Sequence, residues 1–168
     1  MVGLGVVALL ALAAVWYGLV VKVNALRAAE RVVQEGFRTR HDLIPLLVET
    51  EGAGGAPQSK IVERLVVQRS EARLARTMQM ALEKEEALEA SLKQVIKEGQ
   101  KIEALKKNLG WLEARTELQK TTKVIEEALE HYERARGVLA TELLRFPARI
   151  FRGVARTQIR TPRRSPQP

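Results

Sequence analysis

Val2 to Val21, VGLGVVALLALAAVWYGLVV, is a run of 20 residues without a charged or strongly polar side chain. It decides which solvent the first part of the chain can occupy. As a helix rising about 1.5 Å per residue it reaches roughly 30 Å, the thickness of a bilayer's hydrocarbon layer. Trp16 and Tyr17 fall near its C-terminal end, where amphipathic rings favour the headgroup boundary. The competing reading is a cleaved leader, since Ala11-Leu12-Ala13 loosely resembles a small-residue cleavage site. Against it, no Lys or Arg precedes the run, and the run is longer than a usual signal core. The sequence reads as an uncleaved anchor over residues 1–22. Lys22, Arg27 and Arg31 follow directly, so the positive-inside tendency makes this a single-pass protein with its bulk in the cytoplasm.

The rest of the chain is basic only at its end. The formal net charge is +8, yet residues 22–144 carry 21 Lys and Arg against 20 Asp and Glu. Residues 145–168 hold the other seven positive side chains and no acid. Aromatic residues are 4% of a chain that is 46% hydrophobic, so any core is made of Leu, Val, Ile and Ala. Cysteine is absent, which excludes disulfides, cysteine metal sites and thiol nucleophiles. The two histidines, His41 and His131, are not in a metal-binding spacing.

Beyond the anchor, apolar residues recur at helical spacing. Leu26, Val33, Phe37, Ile44 and Val48 form one stripe, and with no break before Pro45 the membrane helix should continue as one rod that Pro45 kinks. EGAGGAPQS, residues 51–59, predicts the first reversal. A second helix is expected from Ser59 to Glu98, with EKEEALEASLKQ as a solvated, charge-rich face. Gly99 and Gly110 bracket the next connection, and a third helix is expected from Leu112 to Leu144, striped by Leu118, Ile125, Leu129, Tyr132, Leu139 and Leu143. Phe146-Pro147 should stop it, with ARIF forming one more short turn. The fold class is therefore all-α: a transmembrane helix continuing into an elongated antiparallel bundle of three to four long helices over 23–151, of coiled-coil-like character. Residues 152–168, RGVARTQIRTPRRSPQP, read as a disordered basic tail.

RTRHDLIPLLVET, residues 38–50, invites a search for catalysis at Asp42. A catalytic carboxylate needs a partner. His41 is adjacent in sequence and turned about 100° away on a helix. Arg38, four residues earlier, predicts an ordinary helix pair with Asp42, and burial against Arg69 would make it a register-setting contact. Glu83, Glu85, Glu86 and Glu89 resemble a carboxylate cluster, but bundle metal sites need Glu-x-x-His pairs, and the expected reading is a solvated face. No cofactor is expected.

With this organisation the stretch resembles the bacterial LemA family. The resemblance rests on the N-terminal membrane helix, the junction ending Val23-Asn24-Ala25-Leu26, and an arginine, Arg38 or Arg40, ahead of DLIPLLVE with its Asp42, Pro45 and Glu49. Arg69 sits where that family tends to carry an arginine. The third helix is similar at Leu112, Leu118, Ile125, Ala128 and Tyr132, and RFPARIF matches a typical ending at Arg145, Phe146 and Pro147. The likeness spans residues 1 to about 151. It is that of a divergent member, because Tyr132 is followed by Glu133 and GQKIEALKKN replaces a Tyr-Pro-Asp-Leu segment. The resemblance implies a membrane-anchored helical bundle at the bacterial inner (cytoplasmic) membrane, and no enzyme.

The expected function is then a structural or docking role. Membrane lipids hold the N-terminal helix, and an unidentified protein, or a second copy of the chain, occupies the bundle faces. The alternative is a membrane-organising protein, as in vesicle or organelle assembly, in which Arg152, Arg156, Arg160, Arg163 and Arg164 contact anionic lipid. Nonspecific phosphate binding and a plain solubilising terminus stay open for the tail. No stacking aromatics follow Phe151, which argues against specific nucleic acid recognition.

Overall fold

A computed structural model describes residues 2–53 and 60–144. The described chain is all-α. Helix α1 is Val2–Ala53, α2 Lys60–Arg73, α3 Met78–Gly99, α4 Glu103–Lys106 and α5 Leu109–Leu144. The apolar run and the DLIP stretch thus share one helix, and Pro45 lies inside α1 without ending it. The reversal expected at 51–59 falls largely on residues outside those described, as do the Phe146-Pro147 stop, the ARIF turn and the basic tail.

The helix expected from Ser59 to Glu98 is two helices. Thr77 explains the second start: with extended backbone at φ −122° and ψ 154°, its side chain accepts a bond from the Met80 amide at 3.2 Å, the N-cap arrangement. The third long helix starts three residues earlier than expected. Asn108 caps it, its side-chain oxygen accepting from the Trp111 amide at 3.0 Å, and so Gly110 lies within the first turn.

Two compact units share the described chain. The first comprises residues 2–33 of α1 and 127–144 of α5. Leu19, Val23, Leu26 and Val33 are buried there with Ala128, Tyr132 and Leu139, and Lys22 pairs with Glu142 at 3.1 Å. Val6, Leu9, Leu10, Leu12, Trp16, Tyr17 and Val21, all within the apolar run, are exposed. One described helix is long and apolar enough to cross a membrane.

The second unit comprises residues 34–126 and its core draws on all five helices. Ile44, Leu47, Val62, Leu65, Ala72, Leu88, Leu92, Val95, Leu105, Trp111, Ala114 and Leu118 form one buried cluster. Buried positions in each long helix alternate by three and four residues, as in Trp111, Ala114, Leu118, Thr121 and Ile125 of α5. That spacing keeps one stripe facing its neighbours. Two glycines allow close approach: a Cβ on Gly36 would lie 2.7 Å from Ile125 Cγ1, and one on Gly99 would lie 2.7 Å from Trp111 Cζ2.

Candidate functional site

The same three-and-four spacing carries charge into the core of the second unit. On α1 it runs Phe37, Arg40, Ile44 and Leu47, and on α3 it runs Glu85, Leu88, Leu92 and Val95. Arg40 and Glu85 therefore occupy core positions. Arg40 is 1% exposed and Glu85 4%, and burial of either ion alone would cost several kcal/mol, of the order of the desolvation penalty for a charged group.

Each finds the other. Arg40 Nη2 donates to Glu85 Oε2, and Arg40 Nη1 donates to Glu89 Oε2 at 3.3 Å, one turn further along α3. The guanidinium also stands over the Phe37 ring, 5.5 Å from its centroid. His41 Nε2 approaches Glu85 Oε1 to 2.6 Å, a close contact without hydrogen-bond alignment. Glu89 Oε1 is 2.5 Å from Lys93 Nζ. Every oxygen of the two carboxylates thus faces a nitrogen partner. At Glu89 burial pushes the carboxyl up, but the Lys93 ammonium and then Arg40 outweigh it and hold the group below its ordinary value.

A third helix joins this layer through the backbone. Pro45 has no amide to offer the His41 carbonyl four residues before it. Arg69, on the α2 stripe between Leu65 and Ala72, donates its Nε to that carbonyl at 2.6 Å. The acceptor left over by the proline is satisfied from another element.

Such a layer can clamp helices, but its groups are committed. Glu85 and His41 have the chemistry of an acid and a base, yet Glu85 is already taken by Arg40 and His41 together, and both are buried. Among the described residues no group of three or more His, Asp or Glu is placed to hold a metal ion.

The arrangement thus ties an arginine ahead of DLIP and an arginine in the following helix to one buried layer. The model of the LemA family matches residues 29–162. The chain belongs to the LemA family. Against curated proteins no match was found. The family match begins within α1, past the apolar run, and takes in the whole charged layer. Together with the membrane-length helix it makes this LemA chain a membrane-associated, all-helical protein.

The residues singled out from this LemA sequence separate in space. Arg40, Arg69 and Pro45 act in the layer as described. Asp42 and Glu49 are exposed. Arg38 is exposed too and pairs with Glu35 at 3.5 Å, one turn back, so the expected Arg38–Asp42 pair does not form. The expectation that Glu85 belongs to a solvated face is overturned by its burial, whereas Glu83 and Glu86 are exposed. The spacing Glu85-Leu88-Leu92 carried the signal, masked by the surrounding glutamates. His41, turned away from Asp42, faces Glu85 on α3. Arg152, Arg156, Arg160, Arg163 and Arg164 lie outside the described residues.

Proposed function

We propose that this LemA chain is a non-enzymatic docking module: a single membrane-spanning helix, residues 1–22, presents an antiparallel helical bundle, residues 23–151, to a protein partner on the cytoplasmic side of the bacterial inner membrane. One observation carries the reading. Buried Arg40 of α1 pairs with Glu85 and Glu89 of α3, and Arg69 of α2 holds the α1 backbone, which supports a role in fixing how α1, α2 and α3 pack rather than in meeting a substrate. Within the second unit, Gly36 abuts Ile125 and Gly110 abuts Thr50, which supports opposite chain directions for α1 and α5. In this reading Arg38, Arg40, Asp42, Pro45, Glu49 and Arg69 are a structural motif, and the surfaces offered to partners are the outer faces of the helices, where Val67, Leu109 and Val124 are exposed.

Site-specific photo-crosslinking of the full chain in its membrane tests this. A crosslinker at Val67, Leu109 or Val124 should give discrete adducts that differ between positions, with a doubled chain mass marking self-association. The absence of adducts at all three would refute docking on these faces. Asp42→Asn addresses the enzymatic alternative: lost thermal stability would favour the structural motif, and lost turnover with intact folding would favour catalysis. A second reading, membrane organisation through the C-terminal arginines, is supported by the seven positive and no acidic residues of 145–168.

A further inference from the structure

The charges of α5 thin out before the helix ends. Residues 126–136 carry six charged side chains, whereas residues 137–144, GVLATELL, carry only Glu142. The two polar side chains in these last two turns are both satisfied. The Thr141 hydroxyl donates to the Gly137 carbonyl at 3.0 Å, and the Glu142 carboxylate meets Lys22 Nζ at 3.1 Å. Leu139 is buried, but Val138 and Leu144 are 51% and 68% exposed, and Gly137, Ala140 and Thr141 are exposed with them. A helix end that is apolar on its outer side as well as its inner one suits a surrounding other than water.

Lys22 gives this end of α5 its place in the first unit. It is the first charged side chain after the apolar run of α1. Elsewhere in the same unit, burial and then the Glu30 carboxylate hold the Tyr132 hydroxyl above its ordinary value. Position 22 of α1 thus pairs with 142 of α5 and position 30 acts on 132, an order that supports opposite directions for the two helices here. Leu144, two residues past Glu142, then lies about 3 Å further toward the apolar run than the ion pair does. Tyr17 and Val21 are the exposed apolar side chains at the adjoining end of that run.

We infer that residues 137–144 form a second membrane contact, seated beside α1 in the boundary between lipid headgroups and hydrocarbon. The inference rests on the reading of residues 2–21 as a bilayer span and goes beyond it by giving the end of α5 a place in the lipid. Continuity identifies the occupant: the exposed apolar surface of α5 adjoins that of a segment which, as a span, is surrounded by acyl chains. The ion pair sets the depth. Charge is costly in hydrocarbon, so Lys22 and Glu142 stay at headgroup level, and of the described α5 residues only Leu143 and Leu144 lie beyond them. Because the span already holds the chain at the bilayer, a modest affinity of this contact suffices.

The chain has no cysteine, so single cysteines can be labelled one at a time in the full-length protein. Leu10→Cys, Glu127→Cys, Val138→Cys and Leu144→Cys would each carry a fluorophore, reconstituted in phosphatidylcholine vesicles with quenchers attached either at the headgroup boundary or at the ends of the acyl chains. Leu10 should lose fluorescence to the chain-end quencher. Leu144 should lose it to the boundary quencher, Val138 less so, and Glu127, exposed and roughly 25 Å back along α5, not at all. Quenching at Leu10 with no more at Leu144 than at Glu127 overturns the inference and leaves the span standing. No quenching at Leu10 overturns the span reading, and the inference with it. Stronger quenching at Val138 than at Leu144 overturns the direction in which α5 enters the boundary. Protection of Leu144 from both lipid quenchers and from aqueous iodide overturns lipid in favour of a protein cover.

Discussion

Arg40 and Glu85 hold each other in a place where neither could stay alone. Removal of one leaves an uncompensated ion among Leu and Ile side chains, and losses of about 3–5 kcal/mol are typical of such truncations. Arg40→Met and Glu85→Leu should each destabilise the detergent-solubilised protein on that scale in urea unfolding. The double variant should recover most of the loss, since apolar side chains suit the stripe both residues occupy. Additive losses would mean that the two do not depend on each other. The Arg69 contact allows a similar cycle. Arg69→Ala strands the His41 carbonyl, at a cost of about 1–3 kcal/mol. Pro45→Ala restores the amide that carbonyl lacks, so in that background Arg69→Ala should cost about 1 kcal/mol less. Equal costs in both backgrounds would rule out this account of Arg69.

At the scale of the element, the break between α2 and α3 depends on Thr77. Thr77→Ala should cost about 1 kcal/mol in the same unfolding measurement, and Thr77→Ser almost nothing, because a hydroxyl still meets the Met80 amide. This joint shows what was legible in the sequence. The stripes of α1 and α5 could be read from Leu26, Val33, Phe37, Ile44, Leu118, Ile125 and Leu139, all of which are buried. The helix formers around Met78–Gly99 hid the break, because intrinsic propensity runs on past Arg73 and only the capping residue marks the restart. The place of Glu85 is hidden for a related reason: composition describes EKEEALEA as solvent-facing, whereas spacing places one glutamate on the stripe of Leu88 and Leu92. Arg69 could be located by resemblance but not explained, since its acceptor is 28 residues away and is a backbone atom freed by a proline. Local patterns report the faces of helices, and the polar layer depends on which faces meet.

Taken as a whole, the molecule has carboxyls that pull its acid stability in opposite directions. Glu89 titrates below its ordinary value when folded, so its contribution is complete above the ordinary glutamate range and is lost as pH falls through the lowered value. Burial raises Glu51 instead, so that group costs stability at neutral pH and relieves the cost as it takes up a proton. Glu89→Gln should flatten the fall of unfolding midpoint with acidification across the window below the ordinary glutamate pKa; an unchanged slope would show that Lys93 and Arg40 do not stabilise its charge. The proline-freed carbonyl has a different reach. Frayed helices exchange their amide hydrogens turn by turn, but the turn of α1 at Pro45 is completed by a side chain from α2. Neither helix can loosen there without the other. Amides on both sides of Pro45 should therefore exchange with solvent deuterium only through the opening that unfolds the whole unit, and Arg69→Ala should release those of α1 to exchange on their own.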